Sequence, residues 1–196
     1  LNVLGSVQDN VPPTVRTRNI TVQLNEQNSA TITADQVDDG STDESGIATK
    51  SLSKTAFDCT SVGPNSVTLT VTDNNGNRAT GTATVTVEDK TAPVAKAKNV
   101  TIQLDAQGTA TVSAADLNDG SSDNCSGTLT YSLSKTSFDC SNKGDNAVTL
   151  TVTDPSGNTA TATATVTVDD KTAPVAKAKN VTIQLNAQGG ATLTAE

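Results

Sequence analysis

Three cysteines and a set of carboxylates are the residues of this chain that could do chemistry. Among its 196 residues there is no histidine. Without an imidazole base, a Ser-His-Asp triad or a Cys-His pair is excluded. The metals that favour imidazole and thiolate are poorly served as well, which leaves hard, oxygen-seeking cations. Lys and Arg number 13 against 21 Asp and Glu, a net charge of -8. Such an acidic balance argues against nucleic acid, whose phosphates call for clustered basic residues.

Cys125 and Cys140 lie 15 residues apart. If the chain folds back near Leu133, the two come opposite each other, and a bridge there contributes about 3 kcal/mol in the chain-entropy view. The expected pair is therefore Cys125–Cys140, a sign of an oxidising compartment. Cys59 aligns with Cys140, but Ser45 stands where its partner should be, so Cys59 is expected to be a free thiol. The other reading keeps all three reduced, as small buried hydrophobes.

The acids gather in three places: at linkers, in the loop after a second strand and in a late hairpin. Glu88, Asp89, Asp119, Asp123 and Asp154 make one candidate set for Ca²⁺; Asp9, Asp38, Asp39, Asp43 and Asp73 make another. Calcium takes six to eight oxygens at about 2.3–2.6 Å. In an immunoglobulin-like sandwich the entering chain and two loops share one end, so these acids would meet there. The set that includes Asp9 has only that acid in its linker and is expected to bind more weakly. The competing reading is ordinary turn chemistry, since Asp and Asn cap their own backbone. Residues 73–77 resemble the start of an EF-hand loop, but glycine is fourth rather than sixth and Thr84 replaces the bidentate glutamate, so an EF-hand is rejected.

What must position these groups is a repeat. Residues 90–111 and 171–192 differ at only two positions, Asp105/Asn186 and Thr109/Gly190, and lie 81 residues apart. A more diverged copy starts near Asp9, with Pro13, Asn19 and Gly40 matching Pro93, Asn99 and Gly120. One residue is gained near Ser126. The expected organisation is a last strand of a preceding unit in 1–8, whole repeats at 9–89 and 90–170, and the start of a third at 171–196. Read this way, the chain is a slice of a longer array. The chain contains no apolar run of about 18 residues that could span a membrane, and Leu1 onward does not read as a signal peptide.

Within each repeat, apolar and polar residues alternate with period two: residues 20–24, 30–34, 67–71, 80–87 and 159–168. β-branched residues in that pattern mark strands with one buried face. Turn residues punctuate them at 38–40, 63–65, 73–77 and 154–158. No helical stripe is present. The fold class expected is all-β: tandem immunoglobulin-like β-sandwich repeats of about 81 residues. Leu, Ile, Val and Phe are scarce, so each core is thin and calls for staples such as disulfides or bound ions.

The linker Asp-Lys-Thr-Ala-Pro (89–93 and 170–174), the loop Ser-Asp-Asn-Cys (122–125) and the close Val-Thr-Asp-x-x-Gly-Asn (71–77 and 152–158) resemble HYR-type immunoglobulin-like repeats. More narrowly, they resemble the tandem repeats of giant Bacteroidetes surface adhesins, including those of gliding motility. The resemblance implies a secreted or surface-anchored filament used in adhesion or motility. Repeat one departs from the pattern, with Glu44-Ser45 where Asn124-Cys125 stand later.

The function expected is a structural stalk or filament segment outside the cell. The partners expected are neighbouring repeats, lateral copies and an unidentified surface ligand, with no nucleic acid. The alternatives are an accessory module of a secreted enzyme, or repeats that bind a surface or glycan directly. Sugar binding is disfavoured by the aromatic content, which is Tyr131, Phe57 and Phe138 alone. Three further motifs admit a functional reading: the Thr159–167 ladder as an ice-binding face, Lys54 and Lys135 as isopeptide lysines, and Asn19, Asn99, Asn124 and Asn180 as glycosylation acceptors. Solvent-facing threonine, exposed lysine beside a turn and chance account for them more simply.

Overall fold

The computed structural model describes residues 8–125 and 127–193. Of the strand expected at 1–8 only Gln8 is described, and it is in no strand; the insertion expected near Ser126 lies outside the described residues.

Strands form where the period-two alternation runs. In the first unit these are β1 (Ile20–Gln23), β2 (Ser29–Thr31), β3 (Ile47–Leu52), β4 (Ala56–Asp58), β5 (Gly63–Asp73) and β6 (Arg78–Glu88). In the second they are β7 (Val100–Gln103), β8 (Thr109–Thr111), β9 (Thr130–Leu133), β10 (Ser137–Asp139), β11 (Gly144–Thr153) and β12 (Thr159–Asp169). Each unit has a four-stranded sheet, β1-β6-β5-β3 or β7-β12-β11-β9, and a two-stranded one, β2-β4 or β8-β10. The entering strand runs parallel to the last strand of its unit: Ile20 opposes Val85, and Val100 opposes Val166. This is an immunoglobulin-like sandwich built twice.

The core follows from the alternation. Val67, Leu69 and Val71 on β5 face inward with Ala83, Val85 and Val87 on β6, and Phe57 covers them from the second sheet. Val148, Val166, Val168 and Phe138 repeat the arrangement, and Leu150 and Val152 are fully buried beside them. Threonines take the outward positions, as in β12, where Thr161 and Thr163 face away from buried Ala164 and Val166.

Two local features depart from the sequence reading. One-turn helices, α1 (Ala34–Val37) and α2 (Ala114–Leu117), follow β2 and β8. Each is set by a reciprocal cap rather than by an apolar stripe: Thr33 N donates to Gln36 Oε1 at 2.8 Å, and Ser113 N to Asp116 Oδ2 at 2.8 Å. Each drives one fully buried side chain, Val37 or Leu117, into the sandwich. Gly63, Pro64 and Asn65 do not form a turn but open β5, paired with Val87, Thr86 and Val85. Gly63, the first of them, takes φ 105° where the chain bends into the strand.

Residues 181–184, identical in sequence to β7, belong to no strand. β7 is held by parallel pairing with β12 of its own unit, and 181–184 have no such pairing among the described residues.

Truncating a core centre should cost the usual cavity price in either unit. Leu69→Ala and Leu150→Ala are each expected to lose about 2–5 kcal/mol, read as separate shifts of the two units in urea unfolding.

Candidate functional site

The chain leaves the first sandwich at Glu88, passes Asp89 and enters the second. Three carboxylates meet at that point. Asp89, Asp123 and Asp154 each offer an oxygen, and these oxygens lie within 4.8 Å of one another. Asp89 is 4 % exposed and Asp154 5 %.

Local backbone chemistry holds each acid. Asp154 sits in the β11–β12 turn, where Oδ1 accepts from Asn158 N and Oδ2 from Asn158 Nδ2, both at 2.8 Å. The same Asn158 amide donates to the carbonyls of Asp89 and Thr91, each at 3.1 Å, so one side chain ties the hairpin to the linker. Asp89 Oδ1 accepts from Thr91 N at 3.0 Å, and Asp123 Oδ2 from Cys125 N at 2.9 Å. The remaining oxygens, Asp89 Oδ2 and Asp123 Oδ1, are buried and have no hydrogen-bond partner. Buried acceptors without donors are costly. A hard cation would satisfy both, and the donor set is all oxygen.

Of the expected set around Asp89, Glu88 and Asp119 fall outside this group. Glu88 pairs with Lys90 at 3.4 Å, and Asp119 is exposed. At the head of the first sandwich Asp9, Asp43 and Asp73 also meet within 4.8 Å. Here Asp43 Oδ1 already accepts from Ser45 N and Oγ, at 2.8 and 2.7 Å. Burial pushes the Asp73 carboxyl up, but hydrogen bonds from the Asn77 side chain and from nearby backbone N–H groups outweigh it and hold the pKa below its ordinary value. Asp38 and Asp39 stand apart. Asp38 is buried against Lys50 Nζ at 2.6 Å and also accepts from Ser41, while Asp39 is exposed. Burial raises the Asp38 pKa, and the bonds from Lys50 and Ser41 more than reverse it. In the second sandwich Asn118 and Tyr131 occupy the positions of Asp38 and Lys50, so the pair is replaced at both ends.

The cysteines correct the expected pairing. Cys59 is bonded to Cys125, with Cα atoms 5.3 Å apart, and Cys140 is free and exposed. The Cys125–Cys140 bridge does not form because β9 and β10 are not a hairpin. The chain crosses between sheets at residues 134–136, with β9 on β11 and β10 on β8. Cys125 thus stays with the acids at the head of the second sandwich. Cys140 lies by Gly108, in the turn that follows Leu104, which is bonded to Asp169 at the opposite end.

The bridge therefore joins one sandwich to the next, and the loop carrying it is gripped further. Asn28 Nδ2 donates to Asn124 O, and Asn124 Nδ2 to Asn28 Oδ1, both at 2.9 Å. Asn28 holds a left-handed backbone, φ 60°, where Gly108 and Gly189 stand in the matching turns. Asparagine tolerates this region better than most residues, and here its amide reads the neighbouring loop. Sequence reasoning missed this contact, although the asparagine where the later copies have glycine was a visible signal.

The remaining motifs have structural uses. Lys54 Nζ donates to Ser61 Oγ at 2.9 Å and sits 4.7 Å from the Phe57 ring centroid; Lys135 lies 4.9 Å from that of Phe138. Asn19 and Asn99 accept from Thr84 N and Thr165 N at 2.8 Å, pinning the entering strand to the last one.

With this geometry, comparison is informative. Residues 8–87 match the HYR domain family. The first sandwich is thus similar to HYR domains, in keeping with its immunoglobulin-like topology. No curated protein matches the chain. Among solved structures, Drosophila N-cadherin EC1-4 is 13% identical over 81% of this chain and 50% of that one, TM-score 0.44. Human protocadherin-24 EC1-2 is 14% identical over 83% and 100%, TM-score 0.43. Protocadherin gamma B7 domains 1-4 is 13% identical over 82% and 51%, TM-score 0.40. The chain spans about half the length of the gamma B7 structure. Identities and superpositions this low carry no function across.

Two outcomes follow. Thiol titration of the unfolded chain should count one thiol without reductant and three with it, and peptide mapping should place the single thiol on Cys140. Asp38, whose folded pKa is lowered, contributes stability that is fully present above the ordinary Asp value of about 3.9 and is lost as pH falls through the folded value. Acid unfolding of the first sandwich should therefore be less steep in Asp38→Asn than in the parent chain.

Proposed function

We propose that this chain is a stalk segment of a secreted or cell-surface array, built to hold successive immunoglobulin-like domains at fixed joints for adhesion, including motility-linked adhesion. The observation that carries the reading is the loop at 122–125. One side places Asp123 among the linker acids, and the other places Cys125 in a bond to the preceding sandwich. A loop used at both ends suits a joint that resists bending. The bond fits an oxidising compartment.

Asp89, Asp123 and Asp154 would hold Ca²⁺ at this joint, supplying fixed negative charge and hard oxygen donors. Bound there, the ion would satisfy the two unpartnered oxygens. The joint at Asp9, Asp43 and Asp73 should bind more weakly, because Asp9 and Asp43 are only half-buried and, among the described residues, no buried oxygen of that group lacks a hydrogen-bond partner. Lateral association of chains and a surface ligand at the tip belong to the same reading. Direct glycan binding has less support: Phe57 and Phe138 are buried and only Tyr131 is exposed. Among the described residues, no helix is long and apolar enough to cross a membrane. An accessory role beside a secreted enzyme would place the same joint between modules.

Thermal melting in EDTA and in millimolar Ca²⁺ tests the ion. At a hundredfold excess over Kd, binding adds about 2.7 kcal/mol, and the gain should vanish in Asp89→Asn and Asp123→Asn. An unchanged midpoint in the parent chain would rule out calcium at the joint.

A further inference from the structure

Cys140 is the residue of the second sandwich that corresponds to Cys59. Both open a one-turn 3₁₀ helix directly after the short strand β4 or β10. Both are preceded by an aspartate capping that turn, Asp58 or Asp139, which accepts from the N–H two residues on. Both sit beside the turn linking the first two strands of their sandwich, where Asn28 and Gly108 are equivalent. In the first sandwich this corner is a filled socket. Cys59 is bonded to Cys125, and Asn28 clasps Asn124. In the second sandwich the same corner is exposed and its thiol is free.

We infer that Cys140 is the receiving half of a second inter-domain disulfide, whose partner is the cysteine of an Asp-Asn-Cys loop on a following sandwich of the same polypeptide. This rests on the array reading proposed above. The filled socket at Cys59 is the independent observation that identifies the ligand: same corner, same cap and a loop of known sequence bonded to it. Chemically, the two thiols lose two protons and two electrons and form one S–S bond. A small-molecule disulfide such as oxidised glutathione accepts the electrons and is released as two thiols, by exchange through a mixed disulfide. The corners differ in one respect. Gly108 has no side-chain amide with which to clasp the incoming asparagine, and a Cβ built on it would come 2.8 Å from Cys140 Sγ. The bond, rather than an amide pair, therefore carries the second joint.

The test uses the chain extended by one more copy of residues 90–170 placed after Asp170, refolded in a glutathione buffer and mapped without reduction. The expected map shows Cys59–Cys125, then Cys140 bonded to the copied Cys125, with a single free thiol on the copied Cys140. Cys140→Ser in the same chain should free the copied Cys125 and raise the thiol count to two. A Cys140 thiol beside an intact Cys59–Cys125 bond overturns this inference alone, whether the copied Cys125 is free or bonded to the copied Cys140. Loss of the Cys59–Cys125 bond as well would overturn the joint reading on which it rests.

Discussion

The bond between Cys59 and Cys125 spans 66 residues of sequence and crosses a domain boundary. Each sandwich keeps its own apolar layer, and the bond fixes how one follows the other. Cys125 is nonetheless packed against the apolar cluster of the first sandwich, 8 % exposed. Asp123 lies two residues away among the linker carboxylates, so one short loop carries both the inter-domain bond and an acid of the joint.

The sandwiches are economical. Valine, leucine, a few smaller apolar residues such as Ala83 and Ala164, and a single phenylalanine per unit make up most of the core, and threonine covers the outside. A thin core supports the sandwich but offers little apolar surface for packing domains end to end. The joint is therefore made of directional parts: a disulfide, an amide pair and Asn158, whose one amide spans hairpin and linker. Such contacts set an orientation more sharply than apolar burial of similar size, because hydrogen bonds weaken steeply away from their preferred geometry.

The fold was legible because period two is hard to mistake. Val67, Leu69 and Val71 announce their strand without any knowledge of its partners. The acid triad was partly legible, since loop placement in a sandwich brings Asp89, Asp123 and Asp154 to one end. Glu88 adjoins Asp89, but successive residues of an extended chain point to opposite sides; Asp119 shares the loop of Asp123 but stands exposed four residues before it. The disulfide was read wrongly for a definite reason. Spacing within one repeat suggests a hairpin, whereas residues 134–136 carry the chain from one sheet to the other. Only three-dimensional order shows that Cys140 belongs to the far end. Ser45, in the place of Cys125, removes a partner for Cys59 within its own sandwich, but the thiol is not left free: it bonds to Cys125 of the next.

The account turns on the loop at 122–125 holding the joint. Small-angle X-ray scattering of the oxidised chain against Cys125→Ser measures this most directly. A held joint predicts one narrow distribution of distances for the oxidised chain, and a broadened one with a larger radius of gyration for the variant. Superimposable curves, with both sandwiches folded by circular dichroism, would contradict it.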